Sequence, residues 1–170
     1  FDALPEEISQ AIIVVGYLKK KIQAHLGSRY QGKSIRYVVQ EVLSGSAVAL
    51  LCAQDLFLPR ERFLLLYGDE LTSIEEVRTC LSHEFSWACC PVENPSASGI
   101  AEIDAIGNIV QVVEKPEHPT SNMAAAGVMV VDSRIFAYRP VQHPSGEYYL
   151  SSLMNQFVKD YKVRAVIGRP

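Results

Sequence analysis

Asp69 lies where a metal-binding carboxylate would stand in a parallel α/β sheet. It follows the apolar run RFLLLYG at residues 62–68, which is typical of a strand buried on both faces. Ligands of such sheets bind beyond the carboxyl ends of the strands, and Mg²⁺ binds through one or two carboxylates together with substrate phosphates. Gly68 would allow a phosphate to approach closely. The alternative is a turn or cap aspartate ahead of a helix beginning near Ser73.

A carboxylate and an ammonium stand together at the end of another predicted strand. Glu114 and Lys115, followed by Pro116, come at the end of the apolar run at residues 108–114. A glutamate accepts hydrogen bonds from sugar hydroxyls, and a lysine contacts a phosphate as a point charge. A solvated ion pair in a turn is the alternative.

Gln40 and Gly45 form a third candidate pair. Gln40 follows the predicted strand at residues 34–39, and its amide can make two hydrogen bonds at once. Gly45 opens a predicted helix, whose N-terminus attracts an anion or the edge of a flat base. A polar loop that leads into a helix would give the same pattern.

The sequence contains no motif for covalent catalysis or for a glycine-rich phosphate loop. Neither G-x-G-x-x-G nor G-x-x-x-x-G-K-[ST] occurs, and no histidine pairs with a serine or cysteine at a strand end. The four cysteines include no C-x-x-C pair, and the four histidines are scattered. We therefore expect buried reduced thiols and no zinc site.

The elements that must position these residues alternate between strands and helices. Apolar β-branched runs at residues 11–15, 34–39, 62–68 and 85–92 are separated by helical patterns. This βαβαβαβ order predicts a mainly parallel sheet with right-handed crossovers. A hairpin at residues 100–114, a strand at 127–132, an amphipathic helix at 148–160 and a last strand at 163–167 are expected to follow.

Length and composition limit the alternatives. The chain has 170 residues, is 48% hydrophobic and 21% charged, and carries a formal net charge of −3. These values predict one globular domain over residues 1–170 and disfavour disorder, nucleic-acid binding and membrane attachment. With no signal peptide visible, the cytoplasm is the expected location.

The chain resembles the sugar-phosphate nucleotidylyltransferases, which include glucose-1-phosphate thymidylyltransferase and UTP–glucose-1-phosphate uridylyltransferase. The resembling segments include AIIVVGYLKKKI, IRYVVQEVLSGSAVALLCA, FLLLYGDE, VVEKP, AGVMVVD and GEYYL, in the order of that family. The resemblance implies a Rossmann-like, mainly parallel sheet flanked by helices with β-hairpin insertions, the nucleotide-diphospho-sugar transferase type.

The resemblance also implies an activity. In this family, an oxygen of a sugar-1-phosphate attacks the α-phosphorus of a nucleoside triphosphate, so that pyrophosphate leaves and a nucleotide sugar forms. Magnesium is the implied cofactor, and the implied partners are the two substrates. The implied roles are Gln40 and Gly45 at the nucleotide base, Asp69 as Mg²⁺ ligand and catalytic residue, Gly99 facing the sugar, Glu114 at the sugar hydroxyls, and Lys115 as the catalytic lysine near the sugar phosphate.

The chain departs from the family pattern at several points. A glycine-rich G-x-G-T-R-L loop does not precede Ile12, and a second metal-binding aspartate is not reached. Val48, Ala125 and Ser152 stand where the family usually has a glycine, an asparagine and an aspartate. These departures predict a domain that is incomplete at both ends and has weak or no activity.

Other interpretations of the function of this chain remain open. The first is a non-catalytic module of the same fold that binds or senses sugar phosphates or nucleotides. A nucleotide-sugar-dependent glycosyltransferase is disfavoured, because Gly68-Asp69-Glu70 is not an Asp-x-Asp metal motif. Assembly into a homo-oligomer is also open, since a bare sheet edge invites pairing.

Overall fold

The structure of the protein is a computed structural model that describes residues 1–168. The last two positions of the predicted domain, 169 and 170, lie outside the described residues. The elements are the strands β1 (Gln10–Val15), β2 (Arg29–Tyr30), β3 (Lys33–Val39), β4 (Arg62–Leu66), β5 (Ser86–Pro91), β6 (Gly99–Ile103), β7 (Ile109–Glu114), β8 (Met123–Asp132) and β9 (Arg164–Ile167), and the helices α1 (Lys19–Leu26), α2 (Ser46–Leu51), α3 (Ile74–Leu81) and α4 (Ser151–Asp160).

The strands form two sheets rather than one. The smaller sheet has the order β1-β3-β2, with β1 and β3 parallel. The larger sheet has the order β7-β6-β8-β5-β9, and β4 is added along β8. Among residues 1–168, β1 pairs only with β3 and β4 pairs only with β8, so no strand joins the two sheets there.

The α/β class, the flanking helices and the β6–β7 hairpin are confirmed, but the pairing is less parallel than the alternation of elements suggested. Only β1–β3 and β5–β9 are parallel pairs among residues 1–168. The long strand β8 runs antiparallel to β4, β5 and β6. It follows the hairpin rather than a crossover helix, and an antiparallel neighbour needs no such crossover.

Local sequence signals explain the helices that flank the larger sheet. Ser73 caps α3, because its Oγ accepts a hydrogen bond from the backbone N–H of Glu76 at 3.1 Å. Helix α4 buries one apolar stripe, which includes Leu153, Met154 and Phe157, against the main core. None of the helices in residues 1–168 has the length and apolar character that crossing a bilayer requires.

The core lies between the larger sheet and α4. Trp87, Met129, Val131 and Phe157 are among its fully or almost fully buried members. A second cluster lies between this sheet and α3, where Val77 and Cys80 pack against Val130. These two clusters hold β4, β5 and β8 in place, and those strands carry one wall of the site described next.

Candidate functional site

β4 and β6 pair with the same edge of β8, one on each side of Gly127. β5 occupies most of the opposite edge of β8. β4 and β6 therefore pair with successive parts of the remaining edge. β4 pairs from Arg62↔Asp132 to Leu66↔Val128, and β6 joins at Ile100↔Ala124. A cavity of about 380 Å³ opens at this division. Its polar lining is Ser46, Tyr67, Glu70, Ser98, Glu114, Glu147, Tyr149 and Ser151, and its other lining residues are Trp87, Ala97, Gly99, Val112, Ala125 and Ala126.

Gly127 is required at the division because the Tyr67 ring covers it. A Cβ built on Gly127 would lie 2.6 Å from Cβ and from Cγ of Tyr67. The backbone N–H of Tyr67 donates to the Gly127 carbonyl at 2.8 Å. Trp87 forms part of the cavity wall, and its indole N–H donates to the carbonyl of Ala126 at 2.8 Å. The cavity therefore has a rigid aromatic wall with both rings fixed against β8.

Glu70 satisfies the backbone at the same point. Its Oε2 accepts a hydrogen bond from the N–H of Gly127 at 2.6 Å, which satisfies that N–H at a position outside the strand registers of β8. No local pattern in the sequence indicates this role of Glu70, because the two residues in contact are 57 positions apart. Glu70 is nevertheless part of the cavity lining.

Glu114 and Gly99 face each other across the β6–β7 hairpin. They are paired residues in the ladder, and a Cβ built on Gly99 would lie 3.1 Å from Glu114 Oε2. The same oxygen accepts a hydrogen bond from Ser151 Oγ at 2.9 Å. Ser151 is buried, so this bond fixes the carboxylate and leaves Oε1 free of a partner among residues 1–168. The structure thus brings Gly99 and Glu114 together in one cavity, next to the first turn of α4.

Lys115 lies at the rim of this cavity. It is exposed, and its Nζ donates to the phenol oxygen of Tyr149, a lining residue, at 2.9 Å. Glu147 is a lining residue too. The helix predicted at residues 148–160 begins later than expected, because α4 starts at Ser151. The amphipathic pattern extends into residues 148–150, but the backbone there bonds to residues 44–47 instead.

Asp69 does not line the cavity. It is exposed in the turn after β4, and its carboxylate accepts no hydrogen bond from residues 1–168. No group of three or more His, Cys, Asp or Glu side chains in this part of the chain could hold a metal ion. These residues do not form a complete metal cage. Asp69 alone could hold only a cation that takes its other ligands from water and phosphate oxygens, as Mg²⁺ does.

Gln40 and Gly45 contact each other rather than the cavity. Gln40 is buried, and its side-chain N–H donates to the Gly45 carbonyl at 3.1 Å. Gly45 has φ of +121°, and a Cβ there would lie 2.4 Å from the Tyr148 carbonyl oxygen. Ser46, the next residue, does line the cavity, and its Oγ accepts from the N–H of Leu150 at 2.9 Å. Both residues therefore have a structural contact here, and their contact with a nucleotide base stays a prediction.

The cavity is electrically negative. Glu70, Glu114 and Glu147 line it, and no lysine, arginine or histidine does so among the described residues. Burial raises the pKa of Tyr67 to about 12, the Ser46 hydroxyl opposes that rise, and the charges of Glu114, Glu70 and Asp69 each add a smaller contribution to it. Such a cavity accepts hydrogen bonds from a polyhydroxylated ligand, while an anionic group of that ligand would have to lie at the rim, near Lys115.

Comparisons with known proteins agree with this architecture. The family model described as nucleotidyl transferase matches residues 2–169. The chain is 30% identical over 162 residues to the UTP–glucose-1-phosphate uridylyltransferase AglF of Haloferax volcanii, covering 87% of this chain and 64% of that protein. It is 27% identical to the bifunctional protein GlmU of Methanocaldococcus jannaschii, covering 96% of this chain and 41% of that protein. The chain thus spans about half the length of the curated relatives it matches.

Solved structures share the fold. A Bacillus anthracis structure, provisionally assigned as a glucose-1-phosphate thymidylyltransferase in complex with sucrose, superimposes with a TM-score of 0.80 at 26% identity. The match covers 95% of this chain and 69% of that one. A UDP-glucose pyrophosphorylase complexed with UDP-glucose gives a TM-score of 0.78 at 18% identity, covering 94% of this chain and 72% of that one.

Proposed function

The chain belongs to the nucleotidyl transferase family, and we propose that its cavity binds the sugar-1-phosphate in nucleotidyl transfer from a nucleoside triphosphate. The observation that carries this proposal is the placement of Glu114, Gly99 and Ser151 around one cavity of about 380 Å³. A cavity of that size suits a single sugar ring.

Glu114 would bind the sugar hydroxyls. Ser151 fixes one of its carboxylate oxygens, so the other can accept a hydroxyl hydrogen without loss of side-chain freedom on binding. Gly99 supports this role, since any side chain there would meet Glu114 within the cavity. The apolar wall of Trp87, Ala125 and Ala126 would cover the opposite face of the sugar.

Lys115 would meet the phosphate of the sugar-1-phosphate at the rim. The lining carries three carboxylates, so a phosphate deep in the cavity would be repelled, whereas the rim offers an ammonium. We assign Lys115 as a catalytic residue that neutralises charge while a phosphate oxygen attacks the α-phosphorus and pyrophosphate departs.

Asp69 would bind Mg²⁺ beside the cavity. Its exposed carboxylate follows Tyr67 by two residues, and its charge contributes to the raised pKa of that tyrosine. When bound, Mg²⁺ would neutralise triphosphate charge. Gln40 and Gly45 stay predicted contacts of the nucleotide base. Gln40 keeps its amide oxygen free for such a contact, since only its N–H group is used in residues 1–168.

A pyrophosphate-release assay tests the metal role of Asp69 and the low activity expected of this polypeptide. It would contain Mg²⁺, glucose-1-phosphate and each of the four common nucleoside triphosphates in turn. Because the sequence lacks the glycine-rich loop of the family, the expected result for the 170-residue polypeptide is weak or no release, lost fully in Asp69→Asn. Robust release that Asp69→Asn leaves unchanged would contradict both the low activity and the metal role.

The alternative, a non-catalytic sugar-phosphate-binding or regulatory module, is favoured by Ser152. This residue stands where the family usually has an aspartate, and its Oγ is occupied by the N–H of Val141 at 3.1 Å and the carbonyl of Tyr149 at 2.8 Å. This module would bind glucose-1-phosphate without turnover under any condition, including addition of a separate triphosphate-binding segment. Homo-oligomer formation and a cytoplasmic location also stay predictions.

A further inference from the structure

The rim lysine is held by a tyrosine rather than by a carboxylate. Lys115 follows β7 in a left-handed backbone conformation, with φ of +44°, and its N–H donates to the Ser98 carbonyl at 3.0 Å. Its Nζ then donates to the phenol oxygen of Tyr149 at 2.9 Å and lies 5.0 Å from the centroid of that ring. The contact joins the hairpin to the segment that precedes α4.

Tyr149 also contacts side chains of the segment that precedes it. The ring of His143 meets it edge-on, with centroids 5.2 Å apart. Ser145 Oγ lies 3.4 Å from the phenol oxygen and 2.9 Å from His143 Nδ1. Tyr149 is half-buried whereas Lys115 is exposed, so the tyrosine is the fixed member of the pair and the lysine is the member it orients.

Holding the lysine on a neutral phenol leaves its charge uncompensated. Glu114 and Glu147 both line the nearby cavity, yet the only ion pairs within 4.0 Å that residues 1–168 form are Lys19–Glu41 and Arg134–Asp132. An ammonium bonded to either glutamate would have to leave that carboxylate before it could bind an anion. Bonded to Tyr149, it keeps two N–H groups and its full charge for a ligand.

We propose that Tyr149 is a positioning residue that holds the Lys115 ammonium at the cavity rim for the phosphate of a bound sugar-1-phosphate. This inference rests on the proposed function of the cavity. It deepens that function, because it assigns to Tyr149 the discrimination between phosphorylated and unphosphorylated sugars. Free lysine side chains lose rotamer freedom on binding a ligand, and an oriented one loses less.

Affinity for two ligands that differ only in the phosphate tests the proposal. The chain contains one tryptophan, Trp87, which lines the cavity, so its fluorescence reports binding. Tyr149→Phe keeps the ring but removes the acceptor. It should weaken glucose-1-phosphate binding about three- to tenfold, the range of one hydrogen bond, and leave glucose binding unchanged. Tyr148→Phe, which removes the adjacent phenol, is the matched control and should change neither affinity.

A double-mutant cycle separates positioning from a merely structural effect. In a Lys115→Met background, Tyr149→Phe should change glucose-1-phosphate affinity less than about twofold, because the group it positions is gone. Equal weakening for glucose and glucose-1-phosphate, or an undiminished effect in the Lys115→Met background, would overturn the proposal.

A ligand-free measurement keeps this proposal separate from the proposed function. The hydrogen bond that Lys115 Nζ donates to Tyr149 raises the pKa of Lys115 and so suppresses the free amine that reacts with acylating reagents. In Tyr149→Phe, mass spectrometry should find Lys115 acylated faster than in the wild type, by up to about the three- to tenfold that one hydrogen bond is worth. An unchanged rate would overturn the positioning role, whereas failure of the wild type to bind glucose-1-phosphate would contradict the function of the cavity instead.

Discussion

Replacing Gly45 by alanine should destabilise the protein far more than the same change at Gly146. Both glycines have positive φ, +121° at Gly45 and +91° at Gly146, so alanine is strained at each. Only Gly45 is also enclosed, because a Cβ there would lie 2.4, 2.7 and 2.8 Å from backbone atoms of Tyr148. Nothing lies within 4 Å of a Cβ at Gly146. The second variant therefore measures backbone strain alone.

The contacts around Gly45 set the size of the difference. Tyr148 donates to the Ser44 carbonyl at 2.8 Å and accepts from Ala47 at 2.9 Å, and Leu150 donates to Ser46 Oγ at 2.9 Å. Backbone strain accounts for about 1–2 kcal/mol in each variant. Three disrupted hydrogen bonds at about 1 kcal/mol each add roughly 3 kcal/mol at Gly45 alone. This sum is a large part of the roughly 5–15 kcal/mol that stabilises a typical domain.

Equilibrium urea unfolding, followed by circular dichroism, measures this difference. The free energy of unfolding should fall by about 4–5 kcal/mol in Gly45→Ala and by about 1–2 kcal/mol in Gly146→Ala. Loss of any cooperative transition in Gly45→Ala alone would agree with the reasoning. A difference between the two variants below about 1 kcal/mol would refute it, because the enclosure of Gly45 by Tyr148 would then contribute little to stability.

Two further predictions concern titration and reactivity. Burial raises the pKa values of Cys80 and Cys89 to about 11 and about 12, while Cys52 is exposed. Iodoacetamide at about pH 8 should therefore modify Cys52 before these two cysteines, as followed by peptide mass mapping. Modification of Cys80 or Cys89 at the same rate as Cys52 would contradict this prediction. The pKa of Tyr67 is raised to about 12, above the value of about 10 in an unfolded chain. The neutral Tyr67 side chain therefore contributes its full stability below about pH 10, and this contribution is lost as the pH rises towards 12. Tyr67→Phe should lose less unfolding free energy than the wild type over that interval in urea titrations, and an equal loss in both proteins would contradict the raised pKa.

Features that depend on neighbouring residues were predictable from the sequence. The cap of α3 follows from Ser73 and Glu76, three residues apart, and the β6–β7 hairpin follows from alternating apolar residues around a turn. The hairpin in turn brought two predicted site residues, Gly99 and Glu114, into one cavity. Their roles in the reaction stay proposals.

Features that depend on distant pairing were not predictable. An apolar run looks the same whether its neighbour is parallel or antiparallel, so the orientation of β8 could not be read from its residues. The contact of Glu70 with the N–H of Gly127, and the walls formed by Tyr67 and Trp87, arise only where β4 and β6 separate along β8. The predicted helix began too early because residues 148–150 bond to residues 44–47, about 100 positions away in sequence.

Fluorescence of Trp87 during titration with glucose-1-phosphate tests the central claim that this cavity binds a sugar phosphate. The wild type should give a saturable change, and Glu114→Gln should weaken binding about fivefold, because a charged acceptor becomes a neutral one. Glu117→Gln, an exposed glutamate outside the cavity, is the matched control and should bind like the wild type. No saturable change up to roughly 10 mM, or equal or tighter binding in Glu114→Gln, would contradict the claim.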